Sequence, residues 1–429
     1  MTSCNGGANG WQAQGEQGRH GSPAPPMAQR LRWRRIGQQV IGLALTLGLG
    51  CQPGLSLAQH PPRASDVRVA RALMPRTVRK GALLWQSQVG GDRFSGPVFY
   101  DHQLFLTTQH SHNNGAIGGS HLLALDVRGG KIKWSLEHRS PLTRPTMASG
   151  KVVIADEAGV VEAFDSRSSA SRWHVTLSGP IKLAPVAVGA SETALDKVLV
   201  ATGNHVVGLE LSSGKTLWQV QTPSPVQWLG AATAGGGRGV VVLEDGQVLG
   251  LDARDGKVGW TFTELGGGRV MAAVSDGLVV VGGRAPSVQG LDVVNGSRRW
   301  TSNLTAPLDA APLADAGRVA LSLSNHSVTV LSLDNGHSRW SMKHEEPVSP
   351  LLLAAEATLI VKSGTGMVSL LDLDSGRMLW RIESDKTVLN LPAATDNGLL
   401  YFLSAGGILN AAGGPDYNGP PDEDLKLLE

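Results

Sequence analysis

Eight tryptophans fall on one ruler in this chain: Trp85, Trp134, Trp173, Trp218, Trp260, Trp300, Trp340 and Trp380, separated by 49, 39, 45, 42, 40, 40 and 40 residues. A recurrence near 40 residues limits the fold to arrays in which each unit buries a face against the next, as propeller blades or as helical repeats. The content of the units decides between them. In the fifth, residues 270–274, 278–281, 287–293 and 298–301 read as four short strands rich in Leu and β-branched residues. Gly277, Gly282, Gly283 and the pair Asn295, Gly296 part them. No segment long enough for a helix carries a 3.6-residue apolar period, which excludes helical solenoids.

The end of each unit is its strongest signature: Leu-Asp, three variable residues, Gly-Lys, two more, then Trp. Leu125, Asp126, Gly130, Lys131 and Trp134 show it, as do Leu251, Asp252, Gly256, Lys257 and Trp260. Asp165, Glu210, Asp292, Ser332 and Asp372 stand at the acidic position of the other five copies, always eight residues before the tryptophan. Glycine supplies the positive φ of a hairpin turn, the acid accepts turn N–H groups, and the indole offers a flat apolar area to seal one sheet against the next. Pro97, Pro145, Pro185, Pro312, Pro350 and Pro392 stand at or before the first strand of six units. That suits an edge strand lining a channel.

The two ends of the array complement one another. After Trp380 come the segments 389–395, 399–404 and 408–410, with Asn410 expected at the acidic position and Gly414 four residues on. No tryptophan follows, whereas Gly81 and Trp85 begin the array with no three strands before them. One unit is therefore cut, with its last strand at the N-terminal end. Joining the halves closes a ring and removes the open sheet edges. The expected fold is all-β, an eight-bladed β-propeller of four-stranded antiparallel blades over residues 81–414.

Composition bounds the function. Lys and Arg number 38 against 36 Asp and Glu, a balance without the electrostatic footprint of a nucleic-acid binder. The two cysteines, Cys4 and Cys51, both precede residue 60, so the repeat region holds no disulfide, thiol nucleophile or cysteine metal site. Residues 1–58 read as an upstream extension plus a signal peptide, with Met27 as an alternative start. A cluster of Arg30, Arg32, Arg34 and Arg35 precedes an apolar run over 40–49 that is too short to span a bilayer. Two processing routes stay open: cleavage after Ala58, or lipidation of Cys51 at a sequence similar to a bacterial lipobox. Residues 59–80 read as a flexible tether and 415–429 as a disordered tail. The expectation is export to the periplasm or to the periplasmic face of the outer membrane, as a monomer.

The recurring Leu-Asp-x-x-x-Gly-Lys-x-x-Trp resembles the repeat of pyrroloquinoline-quinone-type propellers, and the resemblance covers residues 81–414. One branch of that superfamily, the quinone-dependent dehydrogenases, implies a cofactor site with vicinal cysteines and a calcium ion; this chain has no vicinal cysteines and nearly bare units. The other branch is the family of outer-membrane assembly factors typified by BamB. It implies a non-catalytic scaffold without cofactor, bound to an outer-membrane β-barrel insertase. The connection entering the fourth blade, 223–229, resembles a partner-binding loop of that family, which marks Val226, Gln227, Trp228 and Leu229 as partner-binding candidates. It lacks the arginine that follows the apolar pair there, and residues 264–269 lack the family's acidic pair. A quinone-dependent oxidoreductase and a periplasmic ligand-binding propeller are the alternatives.

Other candidates weigh less. Trp228 reads as an interface anchor or, more often for such an aromatic, as a side chain packed beneath a loop. His110 and His112 fall in the longest insertion, 107–120, and His121 directly follows it; there a solvated loop is favoured over a Zn or Cu site. The pairs Asp156 with Glu157, Glu244 with Asp245 and Glu345 with Glu346 read as turn charges, and the glycine runs 235–237 and 266–268 lack the helix of a phosphate loop. No residue is expected to be catalytic or to bind a metal.

Overall fold

Strand pairing follows the tryptophan ruler. The computed structural model describes residues 79–414 except 112–116, 190, 192–194, 264, 266–268, 276, 316, 355–356, 365, 385–386, 390–393 and 397–398. The leader with Cys51 and Ala58, most of the tether and the tail lie outside the described residues. Eight sheets each have four antiparallel strands at their centre, successive in sequence in all but the last, and we number the blades from 1 to 8 along the chain. Blade 5 comprises Met271–Ser275, Leu278–Gly282, Ser287–Asp292 and Arg298–Asn303, within two residues of the strands read from sequence. The innermost strands touch in sequence order, and that of blade 8 (Ala394–Asp396) touches that of blade 1 (Val98–Tyr100), closing the ring. The fold is an eight-bladed β-propeller.

There is no single core. Eight apolar clusters fill the seams between neighbouring blades. At the seam of blades 5 and 6, for example, Val280, Val288 and Trp300 meet Val319, Leu321 and Leu331. Each strand alternates its side chains between the seams on its two sides, the consequence of a two-residue period. That is why buried runs such as Val240, Val241, Val242 and Leu243 are apolar at every position.

Seven of the eight tryptophans do two things at their seams. The indole N–H donates to a main-chain carbonyl in the turn of the next blade, Trp85 to Val127, Trp134 to Ser166, Trp173 to Leu211, Trp218 to Ala253, Trp260 to Val293, Trp300 to Leu333 and Trp340 to Leu373, at 2.8–3.3 Å. The ring also lies flat under the turn residue that stands four before the next tryptophan. In six blades that residue is a glycine with φ of +67° to +74°. A Cβ there would come within 2.4–2.8 Å of the ring or of an adjacent side chain. Blade 2 places Ser169 in the same left-handed conformation, at φ +57°.

The acidic position completes the turn. Asp292 Oδ1 accepts from the N–H of Val294 and of Asn295, at 2.9 and 3.1 Å. A β-bulge falls at the residue before every one of the eight tryptophans. In three blades a bulge cation reaches back to the acid: Lys133 to Asp126 at 3.2 Å, Arg172 to Asp165, and Arg299 to Asp292. Arg172 holds the Asp165 carboxyl well below the usual range, and Arg254 does the same for Asp252. The sequence reading did not single out this cation, although Lys or Arg stands directly before the tryptophan in four units.

Ring closure departs from the sequence reading in two places. Ala82–Gln88 is the outermost strand of blade 8, as expected, but Trp85 pairs with Ala411, which puts Gly413 rather than Asn410 at the acidic position. Asn410 lies three residues earlier, fully buried within its strand. Its amide donates to Phe402 O, Ser404 Oγ and Ile408 O, and its Oδ1 accepts from Gln86 Nε2 at 2.9 Å. This knot fastens the N-terminal strand to the C-terminal ones. Arg79–Lys80, assigned to the tether on sequence, instead pairs in parallel with Trp380 and Arg381 on the outer edge of blade 7. The proline expectation holds: Pro97, Pro145, Pro185 and Pro312 directly precede innermost strands, and Pro350 lies within one beside a bulge. Pro392 is outside the described residues.

Gly81 separates the two reasons for a glycine at the turn position. No hairpin exists there, and its φ is not positive, yet a Cβ would stand 2.6 Å from the Trp380 ring. We expect Gly81→Ala to cost about 1–3 kcal/mol in urea denaturation from overpacking alone. Ser169→Gly should gain about 0.5–1 kcal/mol, because it relieves a left-handed non-glycine residue. Asn410→Ala should cost about 1–3 kcal/mol, leaving Gln86 and Ser404 without their buried partner.

Candidate functional site

Blade turns are the same device repeated, so what distinguishes this propeller sits on the connections. The one entering blade 4 is fastened at both sides. Thr222 N donates to Asn204 O at 2.8 Å and Val226 N to Gly203 O at 2.9 Å, tying it to a turn of blade 3. Glu244 N donates to Pro225 O at 2.9 Å and Asp245 N to Ser224 Oγ at 3.3 Å, tying it to a turn of blade 4. Pro223 and Pro225 stay exposed between these anchors, with the carboxylates of Glu244 and Asp245 exposed beside them. On sequence those two acids read as ordinary turn charges at a strand end. Only the hydrogen bonds across the blade bring them to the loop.

The innermost strand of blade 4, Val226–Ala232, starts earlier than the sequence suggested, so the four partner candidates lie on a strand rather than a free connection. Gln227 is the bulge residue, between Val226 paired with Leu243 and Trp228 paired with Val242. Trp228 and Leu229 diverge. Leu229 is buried with Val241 and Leu249 in the seam of blades 3 and 4. Trp228 packs half-buried against the seam of blades 4 and 5. Its ring lies over Gly230, where a Cβ would come within 2.1 Å. Val226, Gln227 and Trp228 keep partial exposure, so the accessible surface joins them to Pro223, Pro225 and the acidic pair.

The histidine insertion is a long hairpin. Strands Gln103–Ser111 and Ile117–Asp126 carry blade 1 outward, and the tip with His112 lies outside the described residues. His110 and His121 meet edge to face, with ring centroids 5.5 Å apart. Among the described residues no group of three His, Cys, Asp or Glu is placed to hold a metal ion. The carboxylate candidates do not converge either. Asp156 is spent on its own turn, with Oδ1 accepting from Val160 N at 2.8 Å.

With the geometry in hand, comparison with known proteins is informative. A family model described as outer membrane protein assembly factor BamB matches residues 66–227, 244–386 and 324–413. The chain belongs to this family. Proteins named outer membrane protein assembly factor BamB from Yersinia pestis and Moranella endobia are 26% identical over 220 and 199 residues. Those stretches cover 47% and 42% of this chain and 51% and 46% of theirs, so the chain spans about half the length of the curated relatives it matches. The crystal structure of BamB from Moraxella catarrhalis superposes with a TM-score of 0.59 at 18% identity, over 78% of this chain and 99% of that one. A quinohemoprotein alcohol dehydrogenase from Pseudomonas putida does so with 0.55 at 14%, over 80% and 77%. At such identities both likenesses speak to the fold alone.

Two half-buried histidines make the blade edges sensitive to acid. Desolvation pulls His138 below the usual histidine value against the opposing pull of Glu162, whose Oε2 lies 3.3 Å from its Nδ1. His344 is lowered by burial. Both are held neutral in the folded state, so the unfolded chain takes up protons first as pH falls below about 6.5. Stability from this source is present above that pH and is lost as pH falls through the lowered native values. The unfolding midpoint should therefore drop between pH 7 and pH 5 in thermal melts. His344→Gln should flatten part of that slope.

Proposed function

We propose that this protein is a non-catalytic scaffold of the cell envelope, an accessory of outer-membrane β-barrel protein assembly. The observation that carries the reading is the family match over residues 66–227, 244–386 and 324–413, which reaches strands of every blade but leaves out 228–243. The lean units agree with it. Turns within the blades are short apart from the blade 1 hairpin, and the connections between blades, such as 263–270 and 304–312, are the longer segments outside the strands. In this reading the chain is exported and works at the periplasmic face of the outer membrane as a monomer. It is held there through a lipidated Cys51 or released by cleavage after Ala58.

The surface we assign to the partner is the composite at blade 4: exposed Pro223 and Pro225, half-exposed Val226, Gln227 and Trp228, and the carboxylates of Glu244 and Asp245. Leu229, buried beneath, positions the strand rather than meeting the partner. An aromatic anchor ringed by charge suits a partner patch that is apolar at its centre and basic at its rim. The proposed partner is an outer-membrane β-barrel insertase.

A tagged pull-down from mildly solubilised envelopes of the native host, with mass spectrometry of the prey and of the bait's own N-terminus, tests the reading. Recovery of a β-barrel insertase is the expected result, with the bait starting at a lipidated Cys51 or at Gln59. In the purified pair, Trp228→Ala should weaken binding by about tenfold or more. Glu244→Lys with Asp245→Lys should slow association and reduce its salt dependence. A soluble bait that recovers no membrane protein would move the assignment to a periplasmic ligand-binding propeller. Dye reduction with added alcohols and a retained quinone would move it to an oxidoreductase.

A further inference from the structure

The long hairpin of blade 1 gathers three metal-binding side-chain types on one face. Its strands, Gln103–Ser111 and Ile117–Asp126, pair His110 with Gly119 and Thr108 with His121, and His121 in turn stands opposite Glu137 of the outermost strand. Residues two apart along a strand share a face, and so do directly paired residues. His110, His121 and Glu137 therefore project from the same side of the sheet. Two contacts agree. The His110 and His121 rings meet with centroids 5.5 Å apart and planes at 88°. Glu137 Oε1 lies over Gly119, 3.9 Å from where a Cβ would stand. The connection from blade 8 steadies the hairpin at this height. Arg93–Phe94 pairs with Gln109 and Thr108, Asp92 N donates to Gln109 O at 2.7 Å, and a Cβ on Gly90 would lie 3.5 Å from His110 Cε1.

Neither imidazole is spent inside the protein. Among the described residues no hydrogen bond or ion pair engages the side chain of His110, His121 or Glu137. His121 Nδ1 is in addition shut off from water, a buried polar atom without a partner. His138, one strand away, differs in that its Nδ1 is held by Glu162. A neutral imidazole keeps one lone-pair nitrogen, so two unengaged rings side by side offer two lone pairs to one visitor. An ion about 2.1 Å from a nitrogen of each ring, with its two bonds at a near-tetrahedral angle, sets the centroids about 5 Å apart, close to the 5.5 Å found here. Two imidazoles are fewer than the ligands of a closed structural site, and no third group is in place beside them among the described residues. The remaining positions fall to water and to the exposed Glu137 carboxylate, which can turn in from the paired strand.

We propose that His110 and His121 form a cross-strand chelate for one divalent transition-metal ion, with Glu137 as an accessory oxygen ligand. Imidazole nitrogens suit Zn²⁺, Cu²⁺ and Ni²⁺, whereas Mg²⁺ prefers an all-oxygen shell. Bound there, the ion ties the two strands of the hairpin to each other just before its tip. The site is separate from the blade 4 surface and does not depend on the assembly reading.

The test is calorimetric titration and thermal unfolding of the full chain, prepared without a histidine tag, with Zn²⁺, Cu²⁺, Ni²⁺ and, as the oxygen-preferring control, Mg²⁺. The parent should bind one equivalent of at least one of the three transition ions, and that ion should raise the unfolding midpoint where Mg²⁺ does not. His110→Gln and His121→Gln should each weaken the binding by about tenfold or more. Glu137→Gln should weaken it less, and His337→Gln, at an exposed imidazole of blade 6, should leave it unchanged. Because His110 is exposed, His110→Gln should melt with the parent in the presence of a chelator, which keeps loss of the ion apart from loss of the fold. Unchanged affinity in both His110→Gln and His121→Gln, or no stoichiometric binding of any of the three ions by the parent, would overturn the proposal.

Discussion

An indole lying under a tight turn is the contact on which this ring depends. Seven blades present their tryptophan to a turn of the next, and the fit has two parts: one N–H to a carbonyl and, in six of them, one ring beneath a glycine without room for a side chain. The hydrogen bond fixes the height of one blade on the next, while the ring fixes their spacing. Eight repetitions of one dihedral step return to the start only if every step is alike. That explains why departures are so local, a serine at position 169 that adopts the glycine conformation and a glycine at 81 that retains only the spatial requirement. With eight seam clusters in place of one core, stability is distributed around the ring, and a fault at one seam is felt first by its two blades.

Much of this was legible in the chain because a repeat states the same physics seven times. The tryptophan spacing, the turn glycines and the prolines before innermost strands all predict elements that the structure contains. What failed did so where the repeat is broken. Asn410 was matched to the acidic position by analogy with its neighbours, but at the cut blade no turn exists to hold register, and the pairing of Trp85 with Ala411 sets it instead. Asn410 is polar for a different reason, a buried amide satisfied by three strands. The cations before the tryptophans were visible but unread, since their meaning depends on a bulge that single-chain periodicity does not reveal.

The candidate site was less legible than the scaffold, for a related reason. Glu244 and Asp245 lie some twenty residues from Pro223 in sequence and become its neighbours only through hydrogen bonds between a turn and a connection. Function in such a fold resides in the few positions that do not repeat, and their chemistry is set by neighbours from other blades.

The parallel pairing of Arg79–Lys80 with blade 7 has a mechanical meaning. The strand that closes the ring, Ala82–Gln88, follows directly, and a direct pull on it would peel it from blade 8. The preceding residues instead lie along the neighbouring blade, where Gly81 N also donates to Arg381 O at 2.8 Å. Force arriving along the polypeptide from that side therefore loads the edge of blade 7 in shear before it reaches the clasp. The clasp is shielded from a pull on the residues that precede it.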